Sequence, residues 1–392
     1  MPTSTTADEL LEQVERLRPV IEANAAWSEQ ERRLSPPVFE AFQQAGLFKM
    51  VVPRSLGGLE LHPVETLRVT EAIARIDSAA GWGVGISQAW GLAGLRSLPE
   101  TATREAFAAG DVVVAGAFVP PGALTAVPGG YRFSGRGPFA SGANHATNHL
   151  MTGLVMEDGE PVLDPATGQP QMKLVMLPAA DTIVHDNWHT FGMRGTGSHD
   201  IEAKDVFVPE HRTGTLGAVL SPDFAAPMYQ VFHLAVQLET IISLGVAQAA
   251  IDYLVGLAGS KVPALNAAPL SHRASAQGQV AKAKALVDAS RAYLYYAATA
   301  AVDEVATTGS LSMDRKVDLQ LSASFAAESC ADAVDLVWDA AGTTGIRLDS
   351  PLERHFRDIH TLAQHASKAL PRFESSGQII FGVESDWGLF YL

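Results

Sequence analysis

Residues 188–212 read WHTFGMRGTGSHDIEAKDVFVPEHR, and they join a glycine-rich loop to a strand. Arg194, Thr196 and Ser198 lie on the loop, where polar side chains between glycines are typical of a turn. Residues 201–208 follow, rich in β-branched and aromatic side chains, and they stop before Pro209. The segment therefore predicts the final strand of a β-domain.

The chain on either side of this segment changes from helical to β and back to helical. Apolar residues at helical spacing predict N-terminal helices at 7–24, 36–46 and 63–76. Short β-branched or alternating runs predict strands at 112–119, 131–134, 172–177 and 201–208. Long amphipathic segments predict C-terminal helices at 234–257, 274–305, 314–341 and 352–381. We therefore predict an N-terminal helical domain (1–110), a central antiparallel β-domain (111–212) and a C-terminal four-helix bundle (213–392).

Composition restricts the class of protein. The formal net charge is −15, which disfavours binding to nucleic acid or to an anionic membrane. No apolar run approaches about 20 residues without a charge or a breaker, so we predict no membrane span. A lone cysteine and an acidic N-terminus that lacks the features of a signal peptide favour the cytoplasm. The chain has neither a GxGxxG fingerprint after a strand nor a Walker loop.

Several stretches, taken in order, resemble signatures of the acyl-CoA dehydrogenase superfamily: Gly46-Leu47 with 52–58, then 71–82 (EAIARIDSAAGW), 188–212 and 357–360. The resemblance implies an acyl-CoA dehydrogenase-like fold. Within that superfamily, the GTGS form at 195–198 and the histidines near the end are most similar to two-component flavin-dependent monooxygenases of the group D type. Their members include indole, dibenzothiophene and 4-hydroxyphenylacetate monooxygenases.

That resemblance implies an oxygenase component that takes reduced FAD or FMN from a separate flavin reductase. Such enzymes add O2 to the flavin as a C4a-hydroperoxide, oxygenate a small aromatic substrate and usually form homotetramers. By the same resemblance, Ser141 would meet the flavin N5 edge, with Phe139 and Trp188 beside the ring. A turn serine and a core tryptophan are the alternatives.

Three further residues resemble positions that reach the flavin of a neighbouring subunit. Arg273 resembles an arginine that pairs with the flavin pyrophosphate, and Gly342 and Thr343 resemble a glycine-rich turn that approaches the dinucleotide. A solvated helix start and a helix C-cap explain the same residues equally well. Arg194, Thr196 and Ser198 either bind flavin phosphate or substrate, or only shape their loop.

His365 is the residue that we predict to be catalytic, together with Ser141. Dehydrogenases of the superfamily commonly place a glutamate just past 352–365, whereas this chain has Ala366 there with His365 beside it. An imidazole can accept or donate a proton near neutral pH, although it can also be a structural histidine. His360 lies about 140° from His365 around an ideal helix, so the pair is not spaced to bind a metal ion, and we predict none.

The substrate pocket is predicted to contain Trp82, Trp90, Trp188 and His360. Phenol hydroxylases of this group often carry a histidine after the Gly-Trp pair, and residues 83–90 have none. We therefore predict an electron-rich, neutral heterocycle such as indole, or a sulfide. Two alternatives stay open: a divergent FAD-dependent acyl-CoA dehydrogenase with Glu239 as the base, and a non-catalytic flavin-fold binding subunit.

Overall fold

The computed structural model describes residues 6–108, 110, 112–165, 168–218, 224 and 226–392 of the 392-residue chain. The helices are α1 Ala7–Glu31, α2 Pro36–Gln44, α3 Pro63–Ile76, α4 Ser78–Ser97, α5 Glu100–Phe107, α6 Pro227–Gln230, α7 Leu234–Ala258, α8 Ala274–Thr308, α9 Met313–Ala341, α10 Pro351–Ala363 and α11 Pro371–Ile380. The strands are β1 Val114–Val127, β2 Gly130–Ala140, β3 Asn148–Glu157, β4 Glu160–Pro161, β5 Met172–Pro178, β6 Ile183–His185, β7 His199–Pro209 and β8 Thr213–Gly214. The predicted order of helices, sheet and helices is confirmed.

The strands form one eight-stranded sheet in the order β6-β7-β2-β1-β3-β5-β8, with β4 paired to β3. A hairpin joins β1 to β2, but β3 lies on the other side of β1 and runs parallel to it. The predicted antiparallel β-domain is confirmed in its main character, and β1 with β3 is the parallel exception, because residues 141–147 carry the chain back across the sheet before β3 begins. Asp111, at the predicted start of this domain, lies outside the described residues, and the domain boundaries stay predictions.

Helix α4 is almost fully buried, and no helix was predicted there because glycines disfavour helices. Two of its glycines lie where backbone or Cβ atoms of neighbouring helices approach too closely for a side chain. A Cβ at Gly81 would lie 2.6 Å from the Cβ of Ala74, and one at Gly85 would lie 2.6 Å from the carbonyl oxygen of Leu238. Close packing against α3 and α7 thus outweighs the intrinsic preference of the sequence.

Helix α7 is the central helix of the C-terminal part and packs on α3, α4, α8, α9 and α10. Among the described residues it is the one helix with the length and apolar composition of a membrane span. Its burial in the core explains that composition without a membrane.

A half-buried ion pair fastens α3 to α8. The Arg291 guanidinium donates to Glu71 Oε1 through Nε at 2.9 Å and through Nη2 at 2.7 Å. The Tyr295 hydroxyl donates to the other carboxylate oxygen at 3.0 Å. Three charge-assisted bonds therefore meet on one carboxylate between the N-terminal and C-terminal helices.

The predicted helix 352–381 is two helices, α10 and α11, separated by a turn at 364–370. Pro371 has no N–H to donate to the Ser367 carbonyl four residues earlier, so the helical ladder cannot pass through it. The Ser367 carbonyl accepts instead from Gln320 Nε2 of α9 at 2.8 Å. His365 consequently lies on a turn and not on a helix.

Candidate active site

Three hydroxyls form a buried chain where the end of β2 meets the glycine-rich loop. Ser141 Oγ lies 2.7 Å from Ser198 Oγ, and Ser198 Oγ lies 2.6 Å from Thr196 Oγ1. Thr196 donates to the Met193 carbonyl at 2.8 Å, so Ser198 donates to Thr196 and Ser141 donates to Ser198. The direction of this chain leaves the lone pairs of Ser141 free to accept a hydrogen bond.

Two aromatic rings lie beside these hydroxyls. Phe139, two residues before Ser141, has φ +61° and is 68% exposed, which is unusual for a large apolar side chain. Its ring meets the half-buried Trp188 edge to face at 6.0 Å between centroids. Trp188 Nε1 donates to the Met193 carbonyl at 3.0 Å, which fixes the indole orientation. An exposed aromatic pair next to an open hydroxyl acceptor fits a flat heterocycle with a polar N–H edge, such as a reduced flavin.

Asp358 of α10 holds the glycine-rich loop in place. Its carboxylate accepts a bond from the Met193 backbone N–H at 2.5 Å and another from the Ser78 hydroxyl at the start of α4. Burial raises the pKa of Asp358 to about 6. Gly192 fits beneath α10 only because it has no side chain, since a Cβ would lie 2.2 Å from the Arg357 carbonyl oxygen.

The same loop packs directly on α4, where Gly195 lies against Ala79. Trp82 is one helical turn further along α4, is 5% exposed, and meets the His365 ring edge to face at 5.4 Å between centroids. Helices α4 and α10 thus connect the hydroxyl chain on the loop to the imidazole that follows α10.

His365 ends a second hydrogen-bonded chain. Its Nδ1 lies 2.8 Å from Ser367 Oγ, and Ser367 Oγ donates to Glu239 Oε2 of α7 at 2.7 Å. The imidazole side chain is 36% exposed, whereas the Glu239 side chain is only 13% exposed. The carboxylate therefore lies behind the imidazole, on the side away from solvent.

Lys368 completes this cluster and is 1% exposed. Its ammonium donates to the Glu239 carbonyl at 2.7 Å and lies 5.1 Å from the centroid of the Trp82 ring. Burial lowers the pKa of Lys368 to about 8, and the Glu239 carboxylate opposes this shift. Burial also lowers the pKa of His365 below its usual value, with Glu239 acting against and Lys368 acting with burial.

Two other predicted pocket residues are placed differently. His360 Nε2 lies 2.9 Å from Asp335 Oδ1 of α9, and its ring packs on Phe356, so it does not share the His365 cluster. Trp90 is 9% exposed and packs against Phe118 of β1 at 4.4 Å between centroids. Their roles in substrate binding stay predictions.

The residues predicted to reach a neighbouring subunit's flavin are all exposed on the helical part of the chain. Arg273 is the N-cap residue of α8, and its side chain makes no hydrogen bond or ion pair within the ranges that the structure describes. Gly342 and Thr343 form a turn at the end of α9, next to Thr344, whose hydroxyl accepts from Lys261. Exposed residues of this kind are accessible to another molecule. Their contact with a neighbouring subunit's flavin stays a prediction.

Sequence reasoning missed Asp358, Ser367 and Lys368 as site residues. Asp358 was visible within the 357–360 signature, but its two partners come from segments far away in sequence. Ser367 and Lys368 were read as part of a continuous helix, and only the break before Pro371 turns both toward Glu239.

A separate open groove of about 970 Å³ lies between α1, α3, α7 and α10. None of the predicted site residues lines it, and its charged groups are largely paired, as Glu29 is with Arg354 and Arg357. Across the described ranges, no cluster of three or more His, Cys, Asp or Glu side chains could hold a metal ion.

Comparison with known families assigns the N-terminal and C-terminal helical parts of the chain to one superfamily. Residues 6–108 match the acyl-CoA dehydrogenase N-terminal domain, and residues 239–369 match the acyl-CoA dehydrogenase C-terminal domain. The chain is 31% identical over 357 residues to an indole-3-acetate monooxygenase of Pseudomonas putida, covering 90% of this chain and 89% of that protein. This chain belongs to the flavin-dependent monooxygenases of the acyl-CoA dehydrogenase superfamily. The predicted family and fold class are thus confirmed.

Two further relatives are flavin-dependent enzymes or bind a flavin. This chain is 28% identical over 376 residues to the oxygenase subunit HsaA of a flavin-dependent monooxygenase of Rhodococcus jostii, covering 91% of this chain and 94% of that protein. Among solved structures, XiaF of a Streptomyces species, in complex with FADH2 and glycerol, superposes with a TM-score of 0.89 at 26% identity over 97% of both chains.

Proposed function

We propose that the monooxygenase is an oxygenase component that binds reduced FAD or FMN from a separate reductase and oxygenates a small aromatic heterocycle of the indole type with O2. The observation that carries the proposal is the direction of the hydroxyl chain, which leaves Ser141 an open acceptor beside the rings of Phe139 and Trp188. A relative with FADH2 bound and a relative named for indole-3-acetate support it.

When bound, reduced flavin supplies an activated oxygen atom derived from O2. Ser141 would accept the hydrogen bond from the flavin N5–H edge and so retain that proton. Phe139 and Trp188 would cover the ring system and exclude water from it. The remaining step in this proposal is a proton transfer between the substrate and the His365 imidazole.

His365 manages the substrate proton in this proposal. Burial lowers the pKa of His365, which favours the neutral imidazole that can accept a proton. A neutral imidazole beside the substrate can accept a proton that the substrate gives up during oxygenation. Trp82 packs on the imidazole, and Trp90 lies further along α4.

The proposed homotetramer is argued from exposed residues. In a homotetramer, Arg273, Gly342 and Thr343 of one subunit would contact the flavin of its neighbour, Arg273 at the pyrophosphate. The acidic surface agrees with the proposed cytoplasmic location. The choice between FAD and FMN depends on whether that pyrophosphate contact forms.

The position of Glu239 disfavours the dehydrogenase alternative. Its carboxylate accepts a bond from Ser367 and lies behind His365, so it is not presented as a free base toward the site. An acyl-CoA dehydrogenase needs a carboxylate that reaches the substrate itself.

The test is a reaction without any reductase. The purified chain is mixed with chemically reduced FAD or FMN, O2 and indole, and both the oxygenated product and hydrogen peroxide are measured. We expect oxygenated indole and a protein that is nearly colourless as purified. Release of hydrogen peroxide alone, across indoles, phenols and sulfides, would contradict the proposal, and bleaching of tightly held oxidised FAD by an acyl-CoA would favour a dehydrogenase.

Replacing Ser141 by alanine should increase the share of O2 that is lost as hydrogen peroxide. The change removes one neutral hydrogen bond worth about 1 kcal/mol, so we expect the ratio of oxygenated product to peroxide to fall about fivefold. Ser134→Ala is the matched control, because Ser134 lies on β2, the strand that ends just before Ser141, and its hydroxyl accepts from the Asp205 backbone N–H at 2.9 Å. An unchanged ratio in Ser141→Ala would remove Ser141 from the flavin site.

A further inference from the structure

The hydrogen-bonded chain behind His365 fixes which ring nitrogen carries the proton. A carboxylate can only accept, so the single Ser367 hydroxyl proton points to Glu239 Oε2 at 2.7 Å. Ser367 Oγ must then accept from His365 Nδ1–H at 2.8 Å. The Ser367 backbone N–H also points to Nδ1, but at 3.4 Å it is much the longest of these bonds.

The other nitrogen of the imidazole is consequently the functional one. Nε2 of His365 bears the lone pair and has no hydrogen-bond partner within the part of the chain that the structure describes. Because the ring is 36% exposed and Glu239 only 13% exposed, the arrangement presents Nε2 outward. Trp82 of α4 packs on the same ring.

Two opposite charges act on the imidazole. The Glu239 carboxylate of α7 raises the pKa of His365, and the Lys368 ammonium lowers it. Cys330 of α9 faces Lys368 as a neutral thiol, because burial raises its pKa. The lysine is fastened to the Glu239 carbonyl and to the face of Trp82, so its distance from the ring is fixed.

We propose that Ser367 and Glu239 are positioning residues that keep His365 protonated at Nδ1, so that Nε2 accepts a hydrogen from an aromatic N–H or O–H of the substrate. The proposal rests on the function proposed above and narrows its substrate class to aromatic hydrogen donors. In the step, the bond from substrate nitrogen or oxygen to hydrogen weakens as the hydrogen moves to Nε2, and its electron pair stays on the aromatic ring system. The ring thereby becomes a stronger nucleophile toward the oxygen atom.

The first experiment uses the full chain without flavin. Magic-angle-spinning NMR of ¹⁵N-histidine-labelled protein reports the tautomer of each imidazole, and a His365→Asn spectrum identifies the signal of His365. We expect Nδ1–H in the wild type and mixed tautomers in Ser367→Ala. A wild-type signal from the Nε2–H tautomer would overturn the proposal. Ser375→Ala is the matched control, because Ser375 makes a similar 2.7 Å bond to Asp386 away from the site.

Charge variants give a second readout that a purely structural role would not change. Glu239→Gln keeps an acceptor for Ser367 but removes the charge, so the pKa of His365 should fall. Lys368→Met removes the opposing charge, so the pKa of His365 should rise, and burial of an apolar side chain there is tolerated. If the pKa of His365 shifts in the same direction in both variants, or in neither, the electrostatic part of the proposal is overturned.

The closing experiment compares indole with N-methylindole, which has no N–H to give. With reduced flavin, Ser367→Ala should lower the rate of indole oxygenation about tenfold, but change the rate for N-methylindole less than about twofold. Equal losses on both substrates would overturn the proposal. If the wild type oxygenates neither substrate, the proposed function and this substrate class fail together, whereas the NMR result decides the tautomer independently.

Discussion

Replacing His365 by asparagine should lower the rate of substrate oxygenation by about 100-fold or more, the usual contribution of a positioned acid–base group. Asparagine keeps a polar side chain of similar reach, so the turn at 364–370 should persist. Flavin oxidation should continue, and hydrogen peroxide should replace the oxygenated product. The measurement is the ratio of product to O2 consumed in single-turnover mixes with reduced flavin.

The control for this substitution is His211→Asn. His211 is exposed on the turn after β7, where its Nε2 lies 3.0 Å from Glu105 Oε2. Its replacement should leave the product ratio within about twofold of the wild type, as surface substitutions usually do little. A His365→Asn variant that stays as well coupled as His211→Asn would show that the imidazole takes no part in the reaction.

Replacing Glu71 by alanine should lower the free energy of unfolding by about 3 kcal/mol. The change removes both bonds from the half-buried Arg291 guanidinium to Glu71, leaves Asp288 at 3.0 Å as its remaining carboxylate partner, and also removes the acceptor of the Tyr295 hydroxyl. We place the cost at the lower end for a buried pair, because 28% of the Arg291 side chain is exposed and water can partly replace the carboxylate. Urea titrations at one fixed protein concentration, followed by tryptophan fluorescence, measure the difference.

Asp8→Asn provides the matched surface pair. Asp8 lies 3.2 Å from Arg68 with side-chain exposures of 81% and 47%, so its loss should cost less than about 1 kcal/mol. Comparable losses in the two variants would mean that the contact between α3 and α8 contributes no more than an ordinary surface ion pair.

The sequence was sufficient where local signals and burial agree. Helix α3 begins and ends where Pro63 and the apolar spacing predict, and α7, α8 and α9 lie within three residues of their predicted bounds. The strand after the turn at 128–130 was found, because alternation and turn residues coincide there, whereas the strand before it was predicted to end at 119 and continues to Val127. In these elements each preference of the chain favours the same structure.

Tertiary contacts decided the elements that were missed. Five glycines made α4 resemble a loop, yet the closeness of α3 and α7 requires residues without a Cβ at Gly81 and Gly85. Strand β3 has no strong alternation, because it lies inside the sheet between β1 and β5 and most of its residues are buried. The elements that pack beside α4 and β3 cannot be inferred from the sequence of either segment alone.

The sequence predicted which types of residue form the candidate site, but it did not predict the hydrogen bonds that join them. The flavin contacts of Ser141 and Trp188 and the role of His365 stay predictions, and the chain of hydroxyl donors beside Ser141 depends on Thr196 and Met193, which the resemblance did not connect to it. The role of Glu239 was predicted as an alternative base, whereas the structure bonds it to Ser367. Such bonds join α7 to the turn after α10 and have no signal in local sequence.

Because the imidazole is held by a short turn between two helices, changes within this turn would re-orient the ring without altering either helix. Libraries that vary Gln364, Ala366 and Ala369 while keeping Ser367 and Lys368 would sample new orientations on an intact framework. Directed evolution toward bulkier aromatic compounds has its natural starting place at this turn.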